Sequence, residues 1–152
     1  MYKKNGMSLI EIILSIAIVI VILLITINLF SNYNEKQVLD NSTEKVLSLL
    51  KEARSLTLSS MADSFYGVHM EQGFVTLFKG GVYVQNNPEN KVNKIDEKTK
   101  ISLISLNGGG SDVVFQKLTG KTNQYGTINI SLFDLSKTKV LQINQTGLIE
   151  KN

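Results

Sequence analysis

Two lysines followed by a run of hydrocarbon constrain this chain more than any other feature: residues 3–30 read KKNGMSLIEIILSIAIVIVILLITINLF. Residues 12–34 carry no charge, and 12–25 are apolar except for Ser15. At about 1.5 Å of helical rise per residue, about twenty such residues cross a hydrocarbon core of about 30 Å. The spacing predicts one transmembrane helix. Lys3 and Lys4 precede it, while the residues just after it, SNYNEKQ, carry little net charge. By the positive-inside rule the N-terminus faces the cytoplasm and residues 35–152 face outward. A secretory signal peptide needs a shorter apolar core and a small-x-small cleavage site, and ITINLFSNYNE offers none. A plain signal anchor tethering an exterior enzyme fits the run but leaves Glu11 and Gly6 without a reason.

Glu11 is the one charge inside the greasy segment. A carboxylate at membrane depth is costly and marks function by default, with a partner to be found. The N-terminal end of its own helix favours an anion through the helix dipole.

The rest of the chain fits one modest domain. Setting aside Lys3, Lys4 and Glu11 leaves 14 basic against 12 acidic side chains, so bulk charge shows no nucleic-acid footprint. There is no cysteine, which excludes disulfides, thiolate zinc sites and a lipidated cysteine. Residues 35–60 contain neither Gly nor Pro, and Leu39, Thr43, Val46, Leu50, Ala53 and Thr57 recur every three or four positions. They form one stripe of a helix, with Lys36, Asp40, Glu44, Lys45, Lys51, Glu52 and Arg54 on its other faces. This helix is expected to continue the membrane segment, with a soft joint near residues 31–34, and to pack on an exterior sheet.

Beyond residue 64 the period changes to two. FYGVHM (65–70), FVTLFK (74–79), VYVQ (82–85), ISLISL (101–106), DVVFQK (112–117), GTINISL (126–132) and KVLQIN (139–144) read as strands separated by glycine-bearing turns. GLIEK (147–151) closes a last hairpin, and the polar residues 86–100 read as an exposed loop or a β-connection. The expected class is α+β: a long N-terminal helix, then an antiparallel domain of about seven strands.

The start of the chain, KKNGMSLIE, resembles the class III signal of type IV prepilins and pseudopilins, with Gly6, Met7, Leu9 and Glu11 matching in order. Methionine stands at Met7, where phenylalanine is commoner. The resemblance implies cleavage between Gly6 and Met7 by a prepilin peptidase, methylation of the new Met7 amine, and retention of the hydrophobic helix. It divides the chain into a leader (1–6), an assembly helix (7–34), an amphipathic second half (35–60) and an exterior β domain (61–152), together a pilin fold. It implies that Glu11 of one subunit pairs with the Met7 amine of another as subunits leave the membrane. The strand order is similar to that of H-type (GspH/FimT) minor pilins and pseudopilins, at Phe115, Gly120, Thr127, Ile128, Ile130, Ile143 and Gly147. The implied partners are the peptidase, other pilin subunits, an inner-membrane assembly platform and membrane lipid. No cofactor and no enzymatic activity are implied. The setting is the inner membrane, then a pilus or a type II secretion pseudopilus.

Some FimT-like subunits are associated with DNA uptake through a basic C-terminal segment. Here that region reads NQTGLIEKN, without arginine. Lys117, Lys121, Lys137 and Lys139 form a weak, salt-sensitive DNA patch only if the strands bring them together. Such a patch would belong to a binding module at a fibre tip. TGKT (119–122) lacks the earlier glycine of a phosphate loop, since Phe115 stands there, and GGG (108–110) reads as a turn. His69, the only histidine, has no placeable metal-binding neighbours, and Asp96 and Glu97 are adjacent in a polar loop rather than an acid–base pair.

Overall fold

The structure is a computed structural model and describes residues 8–59 and 64–152, with the side chains of 25–32 outside the description. The fold is α+β. One helix, α1 (Leu9–Leu58), is 50 residues long, and residues 31–34, the expected soft joint, lie within its helical run. The chain forms two compact units, 1–35 and 36–152. From Leu9 onward the first is the leading part of α1.

In the second unit, α1 is followed by β1 (Tyr66–Met70), β2 (Phe74–Lys79), β3 (Lys91–Lys94), β4 (Thr99–Leu106), β5 (Asp112–Phe115), β6 (Gly126–Leu132), β7 (Thr138–Ile143) and β8 (Ile149–Lys151). They build two four-stranded antiparallel sheets, ordered β3-β2-β1-β5 and β4-β6-β7-β8. The antiparallel domain of about seven strands expected from periodicity has, among the described residues, eight strands in two sheets.

The stripe on α1 explains why both sheets close on it. Leu39, Thr43, Val46, Leu50, Ala53 and Thr57 are all buried. They share one core with Val68, Met70, Val75, Leu77, Val113 and Phe115 of the first sheet and Ile128, Ile130, Leu132, Leu141 and Ile143 of the second. The threonines enter this core because their hydroxyls are satisfied locally. Thr43 Oγ1 donates to Leu39 O at 2.7 Å, and Thr57 Oγ1 donates to Ala53 O at 2.9 Å while accepting from Tyr66 N–H at 3.0 Å. Ser42 is buried by the same logic: Thr99 Oγ1 donates to its Oγ at 2.8 Å, joining the helix to the start of β4.

One sequence expectation for this region fails. VYVQ (82–85) is not a strand. Gly80 and Asn86 hold φ of +114° and +61° on either side of it, and Val82 and Val84 point into solvent. Its apparent alternation is one aromatic anchor between two exposed valines: Tyr83 stacks on His69, with centroids 3.9 Å apart, and meets Phe78 edge-on. The partner of β2 is β3, from the segment read as an exposed loop or a β-connection, with Phe74 opposite Lys94 and Leu77 opposite Lys91. β3 is an edge strand of sequence KVNK whose residues are largely exposed, so it has no apolar face to announce itself. Lysines on such an edge discourage pairing with another chain.

Gly147 fixes where the last hairpin sits. Its φ is +77°, and a Cβ there would lie 1.8 Å from Gly120 O. The two turns, after β5 and after β7, therefore touch backbone to backbone, and Arg54 Nε donates to Gly120 O at 3.3 Å from the helix beneath. Gly109 is also left-handed, at φ +72°, but faces open space. Gly147→Ala is therefore expected to lower stability by about 3 kcal/mol or more through the clash, and Gly109→Ala by only about 1–2 kcal/mol of backbone strain. Urea unfolding of the two variants measures the difference.

Candidate assembly surface

α1 presents two different surfaces. In the first unit, the described side chains from Leu9 to Leu24 are exposed all round the helix, an apolar cylinder rather than a stripe. A helix apolar on every face needs an apolar surrounding, whether lipid or other helices. Among the described residues no helix is long and apolar enough to cross a membrane. The described apolar side chains stop at Leu24, short of the about 20 residues a bilayer requires. In the sequence the apolar run continues through Ile25, Ile27, Leu29 and Phe30.

Glu11 lies in the first turn of α1, where the unsatisfied amides of the helix end favour an anion. Its own N–H is taken, donating to Ser8 O at 3.0 Å, and Ser15 Oγ donates to Glu11 O at 2.7 Å. Among the described residues its carboxylate has no ion-pair partner. Lys3, Lys4, Gly6 and Met7, which the sequence marks for orientation, cleavage and methylation, lie outside the described residues.

In the second unit, the charges on α1 are matched to the sheet. Lys139 Nζ and Lys151 Nζ, on β7 and β8, each stand 3.3 Å from Asp40 Oδ1, and Lys151 Nζ is 2.9 Å from Glu44 Oε1. Oδ1 is buried and accepts no well-formed hydrogen bond, so these contacts hold chiefly through charge. Partial burial pushes the Asp40 carboxyl up, but the two ammoniums outweigh it and hold the group below its ordinary value. The Glu44 contact, reinforced by Asp40 and opposed by burial, raises Lys151 above its ordinary value. A further pair, Lys91 Nζ with Glu52 Oε1 at 2.9 Å, ties β3 to the helix. Helix periodicity placed Asp40, Glu44 and Glu52 on the outer faces, but no signal in the sequence gave their cross-strand partners.

The four lysines weighed as a nucleic-acid patch fall into two pairs, Lys117 and Lys121 at the turn after β5 and Lys137 and Lys139 at the start of β7. Lys139 faces Asp40. Lys117 lies over the Phe65 ring, 5.1 Å from its centroid. Lys121 sits beside Thr122, whose N–H donates to Gln145 O at the far end of β7. From 139 to 145 the chain advances about 20 Å at about 3.3 Å per residue, roughly twice the screening length at physiological salt.

The phosphate-loop decoys resolve into turns. TGKT lies between two strands, and Gly108, Gly109 and Gly110 all hold positive φ between β4 and β5. His69 does have neighbours that periodicity alone could not place. Its Nδ1 is hydrogen-bonded to Asp112 on the adjacent β5, and its Nε2 lies 3.3 Å from Glu71 Oε1. Among the described residues no group of histidines and carboxylates has the arrangement to hold a metal ion. The cluster instead joins β1, β5 and the Tyr83 segment. Asp96 is turned into local structure, accepting from Lys98 N–H at 2.9 Å, and Glu97 pairs with Lys94.

Comparison with protein-family models, with curated proteins and with solved structures finds no match.

Asp40 supplies a pH test. Its folded value lies below the ordinary 3.8, so its stabilisation is complete above that pH and is lost as pH falls through the lower folded value. Asp40→Asn is expected to destabilise the protein by up to about 1 kcal/mol at pH 7 and by a vanishing amount near pH 2. Paired urea titrations across that range measure the effect.

Proposed function

We propose that this chain is a filament subunit of the type IV pilin and pseudopilin class, made as a single-pass membrane precursor and assembled through its N-terminal helix. The observation that carries the reading is the order of features in one stretch: lysines, Gly6, Met7, Glu11, then an apolar helix that continues into the stripe beneath two sheets. In this reading a prepilin peptidase removes residues 1–6 at the cytoplasmic face, and Lys3 and Lys4 leave with the leader once they have set the orientation. Residues 7–34 hold the precursor in the inner membrane and then exchange lipid for the apolar helices of neighbouring subunits. Both surroundings satisfy a helix that is apolar on every side.

Glu11 has the role of registering subunits. After cleavage its carboxylate and the amine of Met7 lie four residues apart, and the Glu11 of one subunit attracts the Met7 amine of the next in a low-dielectric setting. The exterior domain contacts neighbours in the fibre, and its likeness in strand order to H-type subunits favours an accessory rather than the principal subunit. The separation of Lys117 and Lys121 from Lys139 speaks against a DNA-binding tip module.

Gly6→Ala is expected to leave the leader attached. Glu11→Ala is expected to be processed normally but to enter filaments at least about tenfold less well, equivalent to about 1.4 kcal/mol of lost pairing. Immunoblots of membrane and sheared-filament fractions read both effects. Unchanged processing and incorporation in both variants would remove the basis of the assignment.

A further inference from the structure

Asn107-Gly108-Gly109-Gly110 lies between β4 and β5, and all four residues are exposed. Gly109 N–H donates to Leu106 O at 3.0 Å, which closes a four-residue turn, and Gly108 in its third position holds φ of +82°. That is the conformation a type II turn requires there, and glycine supplies it without steric cost.

The surroundings of this asparagine differ from those of the others. Gly108 N–H makes no hydrogen bond among the described residues, so nothing must be broken before its proton is lost. A Cβ on Gly108 would have nothing within 4 Å, so no neighbour crowds the approach to its amide. Asn107 is also the only asparagine in the described residues that a glycine follows. Elsewhere the next amide is committed or missing. Gln124 N–H, after Asn123, donates to Thr122 Oγ1 at 3.1 Å, and Pro88, after Asn87, has no N–H. One contact opposes movement of the side chain: Asn107 Nδ2 donates to Asn123 O at 3.0 Å. A single exposed bond of that kind slows the approach of Cγ to Gly108 about fivefold, which leaves the site reactive.

We propose that Asn107 is a site of spontaneous deamidation, converted in the folded turn to isoaspartate and aspartate. Gly108 N, its proton lost to hydroxide, attacks Asn107 Cγ. The new C–N bond closes a cyclic imide, and Nδ2 leaves as ammonia with a proton taken from water. Water then opens the ring. Breaking the bond just formed gives aspartate, while breaking the original peptide bond gives isoaspartate, with Gly108 joined through Cγ. The net change is one water consumed and one ammonia released, with no oxidant, metal or partner. The product cannot donate to Asn123 O, and isoaspartate adds a methylene to the main chain between β4 and β5. Asn107 N–H also donates to Tyr125 O at 2.8 Å, so the altered turn loosens its hold on the segment leading into β6. The inference does not depend on the filament-subunit reading.

For the test, full-length protein in detergent is held at mildly alkaline pH, sampled over days and digested with trypsin beside a zero-time control. Residues 101–117, which trypsin releases by cutting after Lys100 and Lys117, contain no other asparagine. This peptide is expected to gain the mass of an NH-to-O exchange, assigned to residue 107 by fragmentation. It should also accept methyl groups from an isoaspartyl methyltransferase. The folded chain should convert within about tenfold of the rate of the same chain unfolded in guanidinium, and Gly108→Ala should slow it at least about fivefold. Gly109→Ala, which strains the same turn but leaves the attacking amide unchanged, should stay within about twofold of the wild type. A folded chain that converts more than about tenfold slower than the unfolded one, or equal slowing by the two alanine substitutions, overturns the proposal.

Discussion

The stripe Leu39, Thr43, Val46, Leu50, Ala53 and Thr57 is the surface on which everything after residue 60 depends. A sheet with one apolar face must bury it against something, and here two sheets bury theirs against one helix. Removing that helix would leave each sheet with an uncovered face. The helix therefore does two kinds of work along its length. Its second part belongs to the core of a domain, while the described apolar side chains of its first part, from Leu9 to Leu24, are exposed on every face. An exposed apolar surface of this kind is what the proposed filament-subunit reading would cover, first with lipid and then with neighbouring helices.

Charge follows the same division. In the domain, acidic residues on α1 meet lysines from the strands that pack beside it: Asp40 and Glu44 with Lys139 and Lys151, and Glu52 with Lys91. These pairs are partly exposed and contribute modestly to stability, but they fix which strand lies at which turn of the helix. Glu11 follows the opposite pattern, with no ion-pair partner among the described residues. A matched charge belongs to the fold. In the proposed reading the unmatched one, Glu11, meets another molecule.

Much of the fold was legible in the sequence because periodicity reports burial directly. Every member of the helical stripe is buried, and β1, β2, β6 and β7 fall where alternation placed them within a residue or two. What was not legible had no periodic signature. β3 is an exposed edge of lysine, valine and asparagine, recognisable only from its pairing with β2. Val82-Tyr83-Val84 carried the signature without the strand, because a single ring docking on His69 gives the same three-residue pattern. The division into two sheets was also invisible, since alternation says which residues face inward but not which strands are neighbours. Of the candidate site, Glu11 and the apolar run are plain in the sequence. The pairings of His69 and Asp40 are long-range contacts that no local pattern encodes.

The central claim is that residues 1–6 are a leader removed to create the partner of Glu11. The intact mass of the mature protein, extracted from membranes, tests it most directly. The expected mass is that of residues 7–152 with one methyl group on the Met7 amine. A chain that retains residue 1, or one that begins beyond residue 30, would contradict it.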